Sequence, residues 1–181
     1  HAGMSAKSPA FELNTGEGNM SVTETDELIT ITSGDLSLEI TKLPWSMTYK
    51  HKGRVLSKSG RKDLALMKTD WKGYAYDKGD YTDTYIRQQL SMGVGELLYG
   101  FGERFTPFVK NGQSIDIFNQ DGGTSTEQSY KNIPFYVSNK GYGVFVNHPE
   151  KVSFEVGTEM VTKAEFSVEG SYLDYFLIDG P

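Results

Sequence analysis

A two-residue rhythm recurs along this chain. In DLSLEI, Leu36, Leu38 and Ile40 fall on one side while Ser37 and Glu39 fall on the other. VSFEV groups Val152, Phe154 and Val156, AEFSV groups Ala164, Phe166 and Val168, and ELITIT and SIDIF keep the same beat. A period of two sends successive side chains to opposite faces of a strand. Apolar on one face and polar on the other is what half-buried antiparallel strands need. Turn-forming triplets separate the runs: Ser33-Gly34-Asp35, His51-Lys52-Gly53, Asn139-Lys140-Gly141 and Glu169-Gly170-Ser171. Nothing long carries a helical period; Thr126 to Tyr130 could make a single turn. Short strands with polar turns roughly every 8–12 residues predict an all-β chain, an antiparallel β-sandwich. The stretch from Lys68 to Ser91, with WKGYAYDKGDYTDTY inside it, reads as a strand with a long irregular excursion.

The 181 residues suit one domain or one large fragment. A chain of that size buries roughly 70% of its unfolded surface and needs no covalent staple. It contains no cysteine, which excludes a disulfide scaffold and thiolate metal sites and fits a reducing, cytoplasmic location. A net charge of -6 argues against a nucleic-acid partner, which calls for a basic face. No apolar run approaches the roughly 18–20 residues of a membrane-spanning helix, so no membrane partner is expected. HAGMSAKSPAFELNTGEGNM lacks the basic start and apolar stretch of a secretory signal. His1-Ala2-Gly3 reads as a cloning remnant, residues 1–20 as that remnant plus a flexible lead-in, and residues 21–181 as the sandwich domain.

Sites follow by weighing residue types. His1, His51 and His148 are far apart in sequence, and DGGTSTEQ matches a calcium loop poorly, so no metal is expected. There is no cysteine and no GxSxG for nucleophilic catalysis. GFGERF, Gly100 to Phe105, has a GxG without the third glycine or the following helix of a dinucleotide loop. Glu103 and Arg104 within it read as an ion pair at a strand end. Trp45, Trp71, Tyr74, Tyr76 and Tyr81 could stack on sugar rings, but aromatics are enriched in strands and cores in any case. The loop NQDGGTSTEQ, between the strands SIDIF and IPFYVS, is far longer than a hairpin needs, and loops of that length are usually functional or disordered. Asp121 is followed by Gly122 and Gly123, a carboxylate on a backbone free to approach a partner closely. An ionised Asp accepts hydrogen bonds from vicinal hydroxyls well. Chemistry alone leaves both a ligand contact and a loop of no special role open.

The segments GELLYGFGERFTPFVKNGQ, FNQDGGTSTEQSYKNIPFYVSNKGYGVFVNHPEKVSFEVG and YFLIDGP, in that order, resemble glycoside hydrolase family 31, its α-xylosidase members most. The likeness is dense from Gly93 to Pro181 and weaker from Ser21 to Ser91. It implies the galactose-mutarotase-like β-sandwich that precedes a (β/α)₈ catalytic barrel. The family hydrolyses α-glycosidic bonds with retention, through an Asp nucleophile and an Asp acid/base on the barrel. Neither motif occurs here, so the resemblance implies no catalytic residue and no cofactor in this chain. It also implies a fragment trimmed at both ends, with an incomplete sandwich.

In that family a sandwich loop helps form the subsite of the leaving-group sugar. The matching carboxylate is Asp121, with Gly122, Gly123 and Thr124 shaping the loop; the implied substrate-binding residues are Asp121, Gly122 and Thr124. The implied partner is an α-linked xyloside or glucoside oligosaccharide, held jointly with the barrel. A fragment without its barrel would expose an apolar face and an unpaired strand edge, and would self-associate. The alternatives are a free-standing carbohydrate-binding module and an interdomain brace whose loop touches no sugar.

Overall fold

A computed structural model describes residues 9–12, 18–71, 81–119 and 129–180. Among these the secondary structure is all β, in three antiparallel sheets. Sheet I runs β1 (Met20–Glu24), β2 (Leu28–Ser33), β3 (Leu36–Thr41), β4 (Ser46–His51) and β5 (Arg54–Ser59) in simple meander order. Sheet II has the order β6 (Leu64–Trp71), β7 (Tyr81–Ser91), β13 (Lys163–Glu169), β12 (Val152–Val156), β9 (Gln113–Ile117). Sheet III has the order β14 (Tyr175–Asp179), β11 (Tyr142–Val146), β10 (Asn132–Ser138), β8 (Leu98–Gly102).

The alternating runs land where their rhythm puts them: ELITIT in β2, DLSLEI in β3, SIDIF in β9, VSFEV in β12 and AEFSV in β13. The turn triplets join consecutive strands, and Lys52 and Gly53 both take positive φ, 47° and 80°. Successive positive φ values give a tight hairpin the twist that its strands need. The Lys68–Ser91 stretch resolves into strand on both sides: β6 pairs with β7 from Leu64↔Gln88 to Trp71↔Tyr81. Residues 72–80 between them lie outside the described residues.

Sheets II and III face each other across the core. Phe154 of β12 sits at its centre, 4.7 Å from the Phe101 ring and 6.3 Å from Tyr136, both on sheet III. Val152, Val156, Leu90, Leu98, Val144 and Val146 fill the space around these rings and are buried. Sheet I joins at one side through Leu56, Leu36 and Tyr49. The Tyr49 and Tyr175 hydroxyls meet at 2.9 Å, and His51 pairs with Asp179. Within the N-terminal stretch read as lead-in, Phe11 is tied down: its N–H donates to Asn147 Oδ1 at 2.9 Å and its carbonyl accepts from Asn147 Nδ2 at 3.1 Å.

Candidate functional site

The long polar loop leaves sheet II after β9 and enters sheet III at β10, so it crosses from one layer of the sandwich to the other. Asp121, Gly122, Gly123 and Thr124 lie outside the described residues, as does most of the single turn expected at Thr126 to Tyr130. What the structure describes is the base from which they spring. A parallel bridge between Asn119 and Ser129 closes that base.

Asn132 is its hub. It is buried, its N–H donates to Asn119 Oδ1 at 2.8 Å, and its Nδ2 donates to the carbonyls of Phe118 at 2.9 Å and Ser129 at 2.7 Å. Its Oδ1 accepts from Arg104 Nη1, which also donates to the Asp116 carbonyl at 3.1 Å. Two carbonyls and a guanidinium around one amide leave a single sensible orientation for it, since the flipped form would set donor against donor. Ser129 Oγ donates to the Glu103 carbonyl, and Glu103 N–H donates to the Lys131 carbonyl at 3.0 Å. The strands on either side of the loop are thereby stitched together.

GFGERF supplies the other half of the clamp. Gly100, Phe101 and Gly102 all have positive φ, at 118°, 70° and 84°. A Cβ on Gly102 would stand 1.9 Å from the Lys131 carbonyl oxygen, and one on Gly100 2.7 Å from that of Phe135. The glycines exist because β8 presses on the backbone of β10. Phe101 takes a φ that L residues avoid, at a cost of about 1–3 kcal/mol. Burying its ring against Phe154 and Tyr136 offsets this by a similar amount, about 1.5–3 kcal/mol. On the facing strand the register slips between Asn132 and Tyr136, and Pro134, which has no N–H to donate, occupies the irregularity. Asn132 shares the side of Tyr136 and Ser138, four and six residues on, and is buried as they are.

Glu103 and Arg104 have separate partners. Glu103 pairs with Lys131 at 3.2 Å with both side chains well exposed, a contact worth little. Arg104 works inside the clamp. Burial by itself pushes the Asp116 carboxyl up, but hydrogen bonds from Lys151 and Ser153 and the charges of Lys151 and Arg104 overcome this and hold it below the usual range. Asn132 and Ser129 were invisible in the sequence, because a polar residue next to a strand is ordinary; the GxG of GFGERF, read there only as an incomplete dinucleotide loop, was the one local signal that could have pointed to a pinned backbone. Among the sugar-platform aromatics, Trp45 is half-buried between β3 and β4 on sheet I, while the side chains of Trp71, Tyr74, Tyr76 and Tyr81 lie outside the described residues. His51 and His148 are each engaged with a carboxylate, Asp179 and Glu150, at different places in the fold.

The comparisons with known proteins agree with one another. The family model described as "Glycosyl hydrolase 31 N-terminal galactose mutarotase-like domain" matches residues 2–155. The chain is 44% identical over 174 residues to alpha-xylosidase XylQ of Lactiplantibacillus pentosus, covering 96% of this chain and 22% of that protein. It is 46% identical over 184 residues to an alpha-xylosidase of Emericella nidulans, covering 95% of this chain and 24% of that one. The structure of the cycloalternan-forming enzyme from Listeria monocytogenes, in complex with pentasaccharide substrate, is similar with a TM-score of 0.76 and 25% identity, over 94% of this chain and 16% of that one. The chain thus spans less than a quarter of each of these proteins.

Proposed function

The chain belongs to glycoside hydrolase family 31, as its N-terminal galactose mutarotase-like domain, and from that premise we propose that it is the non-catalytic domain of a retaining α-glycosidase of the α-xylosidase type. The observation that carries this reading is the identity of 44–46% to two alpha-xylosidases across nearly the whole chain. The work of such a domain is positional. Retaining hydrolysis needs two carboxyl groups about 5–5.5 Å apart across the scissile bond. Remote contacts that hold the sugar in register with such a pair contribute to rate without touching the reacting atoms.

The loop hung from the Asn119–Ser129 bridge is the contribution made to substrate. Asp121 accepts hydrogen bonds from hydroxyls of the sugar beyond the scissile bond, and Gly122, Gly123 and Thr124 let the backbone come close to it. The clamp of Asn132, Ser129, Arg104 and the two β8 glycines supports this reading, because a contact made at a loop tip is only as well placed as its base.

The test is Asp121→Ala in the full-length enzyme. Binding of α-xylosyl disaccharides is expected to weaken, with KM rising roughly ten-fold for one lost charge-assisted contact. Turnover of an aryl α-xyloside, which has no sugar to place in that subsite, is expected to stay near wild type. Equal behaviour of the variant on both substrates would remove the loop from the site. The segment alone is expected to turn over neither.

A further inference from the structure

The outward side of a sheet is only as level as its side chains are even in length, and sheet II is uneven at one end. Cross-strand pairing sets Ser153 of β12 beside Ser167 of β13, two of the shortest polar side chains a strand can carry. In the row two residues further along, Tyr85 of β7 faces Glu169 of β13. Lys151, one residue ahead of β12, continues that row on the other side of Glu169. Short chains beside long ones leave a hollow of about 300 Å³. It is lined by Tyr85, Glu150, Lys151, Ser153, Ser167 and Glu169, with the strand at Val168 as part of its floor.

The lining decides what can sit there. The volume is at the lower end of ligand pockets, enough for a small ring and too little for a large cofactor. Pockets for apolar ligands have mostly apolar walls, and here the Tyr85 ring is the main apolar surface. Glu150 and Glu169 outnumber Lys151, which already pairs with Asp116 at 2.6 Å, so an anion would be repelled. Among the described residues no group of three His, Asp or Glu side chains could hold a metal ion. A neutral molecule rich in hydroxyls fits. Carboxylates accept from vicinal hydroxyls, an ammonium donates, and serine hydroxyls do both. Ser153 donates to Asp116 Oδ1 at 2.7 Å, which leaves its oxygen to accept. A pyranose carries hydroxyls round its rim and C–H groups on its faces, and a tyrosine ring is flat and apolar with a polar tip. Sugar hydroxyls also reproduce the bonds of the waters they displace. The walls are held in place beforehand: Asp116 fixes Lys151 and Ser153, and Glu150 pairs with His148 at 3.3 Å.

We propose that this hollow is a carbohydrate-binding site for one pyranose unit of a neutral oligosaccharide. Tyr85 lies against a ring face, and Glu150, Glu169 and the two serines take the hydroxyls. All six lining side chains belong to sheet II or lead into it, and none lies on the loop between Asn119 and Ser129. The ligand class follows from the lining, whatever reaction the full-length protein performs.

Lys151 gives a reading confined to the hollow. The full-length protein is acetylated with an N-hydroxysuccinimide ester, and the rate at Lys151 is followed by mass spectrometry with and without D-xylose. At ordinary ligand efficiency a single pyranose binds with a Kd on the order of 10 mM. In about 100 mM D-xylose the Lys151 rate is therefore expected to fall roughly ten-fold. The exposed Lys58 on sheet I is expected to keep its rate. Ser167→Trp fills the hollow from its floor and is expected to abolish the dependence on xylose. Tyr85→Ala is expected to raise the half-protection concentration roughly five-fold, whereas Tyr85→Phe, which keeps the ring, holds it near wild type. A Lys151 rate indifferent to xylose overturns the proposal, as does protection that survives unchanged in Ser167→Trp or Tyr85→Ala. Protection by inorganic phosphate and not by xylose overturns it too, and assigns the hollow to an anion. An active α-xylosidase whose Lys151 ignores xylose sinks the site alone. Protection in a protein without glycosidase activity sinks the proposed function alone.

Discussion

At the scale of single residues, space and backbone angle decide what each glycine is for. Gly53 has φ +80° with nothing near its missing side chain, so Gly53→Ala is charged only for the left-handed backbone, about 1–2 kcal/mol. Gly102 adds a clash of 1.9 Å with the Lys131 carbonyl oxygen. Backbone rather than a side chain would have to move, so Gly102→Ala is expected to cost about 3 kcal/mol or more. The urea midpoints of the two variants check the ordering. Tyr136 predicts the opposite sign. Its ring is fully buried, and its hydroxyl has no hydrogen-bond partner among the described residues. Burial pushes that hydroxyl far up in pKa, with the nearby Tyr142 and Glu96 adding to the effect, so it stays neutral and still lacks a partner. Tyr136→Phe is expected to leave stability unchanged or raise it by about 1 kcal/mol, since an unsatisfied buried group is what is removed. A clear drop in midpoint would mean that the hydroxyl does make a bond.

At the scale of elements, the strands were legible and the sheets were not. DLSLEI, VSFEV and AEFSV announce themselves because apolar and polar residues alternate in them, although burial alternates with the sequence only in VSFEV, while β3 is half-buried throughout and Glu165 of AEFSV is buried. YGVFV and YFLID carry no alternation, because β11 and β14 are apolar on both sides, and a period cannot be seen where there is no contrast. The loop was legible by length and polarity, but its base was not. Asn132 acts through long-range partners at Arg104 and Phe118 that no local pattern betrays. Asn132→Ala is therefore expected to cost about 2–3 kcal/mol by stranding buried carbonyls, and to raise KM for disaccharides in the full-length enzyme while sparing aryl xylosides. Asn132→Asp should do no better, because it sets oxygen against the carbonyl oxygens of Phe118 and Ser129.

Sheet II holds two carboxylates whose shifts oppose each other, Asp116 on β9 and Glu165 on β13. The native carboxyl of Asp116 lies below its ordinary range, so its stabilisation is present above about pH 3.9 and is lost as pH falls through the lowered value. Glu165 is pushed up by burial against the bond from Gln89 and the charge of Arg87, so its contribution is present below about pH 4.3 and is lost as pH rises through the raised value. Glu165→Gln is expected to gain stability over wild type as pH climbs past that range and to match it below. Thermal midpoints across pH 3–8 check this, and a constant offset at every pH would show that titration is not the cause.

At the scale of the whole molecule, the outward sides of sheets II and III make different demands on solvent, and this sets how residues 1–181 behave on their own. On sheet II the outward charges are paired locally, as in the 2.6 Å pair of Lys151 with Asp116 at the surface and the 2.5 Å bond from Gln89 to the buried Glu165. The outward side of sheet III, with Tyr99, Val137 and Ile178 in one row and the half-buried Phe135, Phe145 and Phe176 in the next, has no such means, and Val137 and Ile178 meet water. Its area, roughly 300 Å² for four strands about 4.8 Å apart and five residues rising about 3.3 Å each, is too small for a tight dimer yet large enough to make collisions stick. A net charge of -6 opposes aggregation without protecting that one side. The segment expressed alone is therefore expected to self-associate weakly and reversibly, with a light-scattering mass that rises above 20.2 kDa with concentration. Val137→Glu and Ile178→Glu place charge in the middle of the apolar row and should return the mass to that of the monomer. Ser153→Glu, on the opposite face, should not. Association that is indifferent to the first two substitutions would move its cause to an unpaired strand edge such as the wholly exposed β1.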